Sequence, residues 1–187
     1  MMPRSNGPND EAGRGDHPDL AAVAGGMRAA WREEQEAAAA DAAAYWRHTR
    51  GLCDWLCDRM HAGDRIAVSL PARRFVGLVE EIGPDLVALR CPFGRVEIHI
   101  GPDVPIGFEL VQHATSGGTR SVMRRGFHDA LLARDTQENV TIGTALYPEG
   151  IEGTLFVGRD FVTVAGRSGV ATVTPATHVA WVTAAPA

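Results

Sequence analysis

Two stretches decide how this chain is read: Arg50-Gly51-Leu52-Cys53-Asp54-Trp55-Leu56-Cys57-Asp58-Arg59 and Arg125-Gly126-Phe127-His128-Asp129-Ala130-Leu131-Leu132-Ala133-Arg134. Their Arg, Gly, Asp, Leu and closing Arg coincide at an offset of 75. The offset returns where Gly83-Pro84-Asp85-Leu86-Val87-Ala88-Leu89 meets Gly158-Arg159-Asp160-Phe161-Val162-Thr163-Val164, and again at Gly94 and Gly169. A period this long describes a whole small unit, a helix followed by strands, rather than one rung of a solenoid. Units of about 65–75 residues sit near the lower size limit for a self-sufficient core. The two are therefore expected to pack on each other or on a partner.

Working outward, residues 1–17 are polar and rich in Gly, Pro and Asp, and read as a disordered lead. Residues 18–47 form an Ala-rich helical segment, and helix formers continue from Met27 to Met60. Gly25-Gly26 is expected to fray or break the start of this helix, and Gly51 to kink it or to mark a close helix contact. After Gly63 the apolar period switches to alternation, with Ile66, Val68 and Leu70 on one face. Strands are expected at Phe75–Ile82, Leu86–Cys91, Val96–Ile100 and Ile106–Val111, punctuated by Pro71-Ala72, Gly83-Pro84 and Pro92-Phe93-Gly94. The second unit repeats the pattern: a helix from Thr119 to Asp135, then strands at 140–146, 153–157, 160–165, 170–174 and 178–183. Gly77 and Gly153 fall inside strands, where glycine marks a sharp bend.

Five short strands in some 50 residues suit a small closed sheet better than a sandwich. A helix, five bent strands, a strand glycine and the Gly-x-Asp turns resemble the Sm-like / SH3-like small β-barrel families. The resemblance covers 48–113 and again 120–184. It implies a mainly β chain with helices (α+β): two tandem small barrels, 48–113 and 119–184, each preceded by a helix, behind the Ala-rich helix. Sm-like proteins commonly bind RNA. The resemblance then implies an Asx-rich loop and an Arg-Gly-Asx loop. Here the corresponding loops read Gly83-Pro84-Asp85 with Gly158-Arg159-Asp160, and Gly101-Pro102-Asp103 with Pro175-Ala176-Thr177. The second pair has no Arg.

Charge also speaks against nucleic acid. The chain carries 18 basic residues, all Arg, against 23 acids, for a formal charge of −5. Phosphate binding rests on cation density. The three cysteines (Cys53, Cys57, Cys91) make no disulfide framework and point to reduced thiols in the cytoplasm. The N-terminus lacks the apolar run of a secretory signal, and no stretch has the apolar length of a membrane span.

Cys53, Cys57 and His61 recur every four residues on one helix stripe, a spacing that offers a metal or thiol site, or simply core packing. Trp31, Trp46, Trp55 and Trp181 read as core or inter-unit packing. Arg73, Arg74, Phe75, Arg90, Phe93 and Arg95 read as a basic-aromatic face on the first unit, with Glu80, Glu81 and Glu97 close enough to temper it. No phosphate loop, nucleophile elbow or His-Glu metal motif stands out. The expectation is a cytoplasmic, non-enzymatic interaction or adaptor protein without a cofactor, binding another protein on that face or pairing with itself through the N-terminal helix. RNA binding and a metal or thiol site at Cys53, Cys57 and His61 are the alternatives.

Overall fold

The computed structural model describes residues 20–118 and 125–184. The expected lead, 1–17, and the start of the expected helix at Thr119 lie outside them. Residues up to Arg50 and residues from Gly51 onward form two separate units.

The first unit holds one helix, α1 (Leu20–Thr49), running unbroken through Gly25-Gly26. Its Ala-rich sequence supports it along its length. Val23, Met27 and Trp31 recur every fourth residue and are exposed, as are Tyr45 and Trp46. Of the core or inter-unit reading of Trp31 and Trp46, the core part is thereby corrected.

The second unit opens with α2 (Leu52–Ala62), separated from α1 by Arg50 and Gly51. The expected kink is a full stop, because Gly51 is extended and caps a new helix, its N–H donating to Asp54 Oδ2 at 2.9 Å. Strands β1 (Arg65–Leu70), β2 (Arg73–Ile82), β3 (Leu86–Cys91), β4 (Gly94–His99) and β5 (Gly107–Gln112) follow. A short α3 (Phe127–Leu132) then leads to β6 (Val140–Thr144), β7 (Ile151–Val157), β8 (Phe161–Ala165), β9 (Ala171–Pro175) and β10 (Val179–Ala184). α3 starts as α2 does, with Gly126 N–H donating to Asp129 Oδ2 at 3.0 Å.

All ten strands join one antiparallel sheet in the order β5-β1-β2-β3-β4-β10-β6-β7-β8-β9. This corrects the expectation of two closed barrels. Closure of the first half would need β4 to pair with β5, but β4 gives that edge to β10, with Ile98 opposite Trp181 and Glu97 opposite Val182. The sheet is thus continuous and open, and β5 and β9 are its outer edges. The mixed α and β content stands, and the strand order of the first half recurs in the second.

Gly77 in β2 and Gly153 in β7 lie where the neighbouring strand backbone comes closest. A Cβ at Gly77 would overlap the Arg90 carbonyl, and one at Gly153 the Ala165 carbonyl, so only glycine allows these strands to approach so closely. One core joins Leu56 and Met60 of α2 to Ile66, Val68, Val79, Leu89 and Ile98. The other joins Phe127 and Leu131 of α3 to Leu86, Ile142, Leu155, Val164 and Val182. Leu86 belongs to β3, so each half contributes to the core of the other: Trp181 of β10 lies in the first core.

Candidate functional site

Trp181 positions an apolar concavity. The indole packs over Gly143 of the adjacent β6, where any Cβ would fall inside its ring. Phe75 meets it edge-on with centroids 5.3 Å apart. The Arg73 guanidinium lies over the same ring at 5.8 Å and ion-pairs with Glu149 at 3.0 Å. Arg73 thereby ties the β1–β2 turn to the β6–β7 loop. That loop is folded by its own bonds: Thr144 N–H donates to the Tyr147 carbonyl at 3.2 Å, and Tyr147 N–H donates to Thr144 Oγ1 at 3.1 Å.

Between these parts lies an open cleft of about 470 Å³. Its walls are the β1–β2 turn with Leu70 and Pro71, the β4–β5 loop with Val104 and Pro105, the β6–β7 loop with Leu146, and Ala180 and Trp181 of β10. Arg73, Asp103 and His178 supply its charged or titratable groups. A largely apolar hollow of this size with a few polar groups is the usual form of a binding site.

A second feature is a buried ionic network under α3. Glu81 accepts from Arg95 and, at 3.1 Å, from both Nε and Nη2 of Arg125. Glu97 accepts from Arg95 Nε at 3.1 Å and from Arg125 Nη2 at 2.6 Å. Arg134 Nη1 stands 2.6 Å from Glu97 Oε2 as an ion pair, without hydrogen-bond alignment. Both carboxylates are almost wholly buried. Arg125 immediately precedes α3 and Arg134 follows it, so the network fastens that helix to β2 and β4. Burial by itself lowers the Arg125 pKa, but its hydrogen bonds and charge contacts with Glu81 and Glu97 outweigh that and hold it above the usual value. Arg134 is pushed below the usual value by burial, against the pull of Glu97, with Arg95 and Arg125 adding repulsion. Each carboxylate serves at least two guanidinium groups, a clamp rather than an acid/base pair.

The expected basic-aromatic face is divided by the structure. Arg73 reaches the cleft, Phe75 is buried beneath it, and Phe93 is exposed at a turn 6.3 Å from Phe75. Arg74 ion-pairs with Glu109 at 2.8 Å. Arg90 pairs with Glu80, and Arg95 with Glu80, Glu81 and Glu97. Arg90 and Arg95 therefore belong to the network and its margin, not to the cleft.

On α2, Cys53 and His61 are exposed and Cys57 is half-buried. Among the described residues, no three His, Cys, Asp or Glu side chains gather as a metal-ligand set. Burial, then Cys53, Asp54 and Asp58, push the Cys57 thiol up, away from the reactive thiolate. Burial pushes the Cys91 thiol up to about 11, outweighing Arg65 and a bond from the Val76 backbone. No helix among the described residues is long and apolar enough to cross a membrane.

The cleft residues Leu146, His178, Ala180 and Trp181 escape a sequence reading because three remote loops build the site. A usable signal is the recurrence of proline in those loops, at Pro71, Pro105 and Pro148. Compared with protein-family models, curated proteins and solved structures, the chain matches none.

Proposed function

We propose that this chain is a non-enzymatic interaction protein, a scaffold or regulatory adaptor, that seats an apolar peptide segment of a partner in the cleft beside Trp181. The observation that carries this reading is the cleft itself: open, about 470 Å³, apolar in its walls and given direction by Arg73, Asp103 and His178. A peptide would bury Leu146, now 84% exposed, and gain about 25 cal/mol for each Å² of apolar surface covered. Three free thiols suit a reducing, cytoplasmic setting.

Panning of a random peptide library tests the reading. Peptides enriched on the wild-type chain should alter Trp181 fluorescence and lose binding to Leu146→Asp, an exposed substitution that leaves the core intact. Absence of enrichment, or binders indifferent to Leu146→Asp, overturns it. Retention of RNA on a filter at low salt and release at high salt would replace it with nucleic-acid binding.

A further inference from the structure

The strand order runs the same way twice, β5-β1-β2-β3-β4 and then β10-β6-β7-β8-β9. The pairings make the correspondence residue by residue. Ile66 faces Gly77 as Val140 faces Gly153, and Leu110 faces Ile66 as Ala184 faces Val140. Ala88 faces Glu97 as Thr163 faces Val173. β10 therefore corresponds to β5, and β9 to β4. The seam inside the chain joins an edge of the β4 kind to one of the β5 kind. The two outer edges, β9 and β5, are again one of each, with backbone groups free for pairing.

At the inner seam, α3 accompanies β10. Phe127 is 2% exposed against Leu86, and its N–H donates to Asp85 Oδ1 at 2.8 Å. The counterparts at the outer edges are uncovered. Phe161 replaces Leu86 and is 44% exposed; Phe156, opposite Thr163 as Glu81 is opposite Ala88, replaces Glu81 and is 44% exposed; Val173 replaces Glu97 and is 64% exposed. Leu52 replaces Phe127 at the start of α2 and is 40% exposed, while Asp160 replaces Asp85 on an exposed turn. Thus carboxylates at the inner seam give way to apolar side chains on the outer face. Arg59, the counterpart of Arg134, is already held by Asp64 of its own chain at 2.8 Å, so the outer face needs no carboxylate in place of Glu97.

We infer that a second copy of this chain occupies this face: β5 and the Leu52 end of α2 from one copy cover β9 and the Phe156–Phe161–Val173 patch of the next. The inner register, Val182 opposite Glu97, transfers to Phe108 of one copy opposite Val173 of the other. Leu52 meets Phe161, and its N–H reaches Asp160. Such a contact is head-to-tail, so each copy retains a free donor edge and a free acceptor edge until a ring closes or a filament grows.

Sedimentation velocity on the full chain over a concentration series tests the inference. The wild type should form species larger than a dimer that increase with concentration. Leu52→Asp removes the donor and Val173→Asp the acceptor; both positions are exposed, and native melting by circular dichroism confirms the fold. Should Val173→Asp melt early, Phe161→Ser on the same face takes its place. Each variant alone should sediment as a monomer. Mixed in equal amounts they should form a dimer and stop there, because one intact donor meets one intact acceptor. A wild type that stays monomeric at every concentration, variants that still assemble, or a mixture that stays monomeric would overturn the inference.

Discussion

Glu97→Gln isolates the buried network. The substitution preserves shape and one acceptor oxygen but removes the charge that Arg125 and Arg134 face at 2.6 Å. Breaking one side of a buried ion pair costs about 3–5 kcal/mol, because the remaining charges stay desolvated. Glutamine still accepts one hydrogen bond, so the low end, about 3 kcal/mol, is expected. Arg95 is more than a third exposed and adds little, since solvent screens it. With a urea slope of about 2 kcal/mol per molar, the unfolding midpoint should fall by about 1.5 M. Circular dichroism and Trp fluorescence should report the same transition. Arg74→Ala, which breaks only the exposed pair with Glu109, serves as control and should shift stability by less than about 0.5 kcal/mol. A Glu97→Gln midpoint matching the control would refute the reasoning, for the network would then be no more than surface charge.

Other outcomes follow from the same geometry. Gly143→Ala places a methyl group inside the Trp181 indole and should cost about 1–3 kcal/mol by overpacking, with a shifted Trp emission; an unchanged melting temperature would contradict the packing described. Asp54→Ala and Asp129→Ala each remove the acceptor for a capping glycine N–H and should cost about 0.5–2 kcal/mol apiece in thermal melts. The Cys91 thiol sits at about 11 in the folded chain against 9.0 ordinarily, so folding favours its neutral form. Its contribution is complete below pH 9 and disappears as pH rises toward 11, a loss of about 3 kcal/mol that Cys91→Ala should abolish in chemical unfolding at stepped pH.

Local features were legible in the sequence where a single residue carries the constraint. Gly51 and Gly126, 75 apart, cap their helices with nearly the same backbone angles, and Gly83 and Gly158 close their turns on Leu86 and Phe161 with identical 2.8 Å bonds. Strand positions fell close to expectation because alternation survives wherever one face is buried. Sheet closure was not legible. The choice of β10 over β5 as the neighbour of β4 is a competition between distant edges, and nothing in the Arg95–His99 segment encodes it. Glu97 shows the same limit. At an alternating strand position it reads as solvent-facing, yet Arg125 and Arg134 arrive with α3 and bury it. The Trp181 cleft depends on a glycine 38 positions earlier, a distance across which no local pattern is visible.

The pairing of β4 with β10 also sets a timetable for synthesis. After His99 leaves the ribosome, the edge ending there has no neighbour until Val179 emerges, 80 residues later. At about 5–20 residues per second, the nascent chain carries that bare edge for roughly 4–16 s. Through this interval the N-terminal half-sheet is a natural client for a chaperone, and stalls in translation between these points would favour aggregation more than stalls elsewhere.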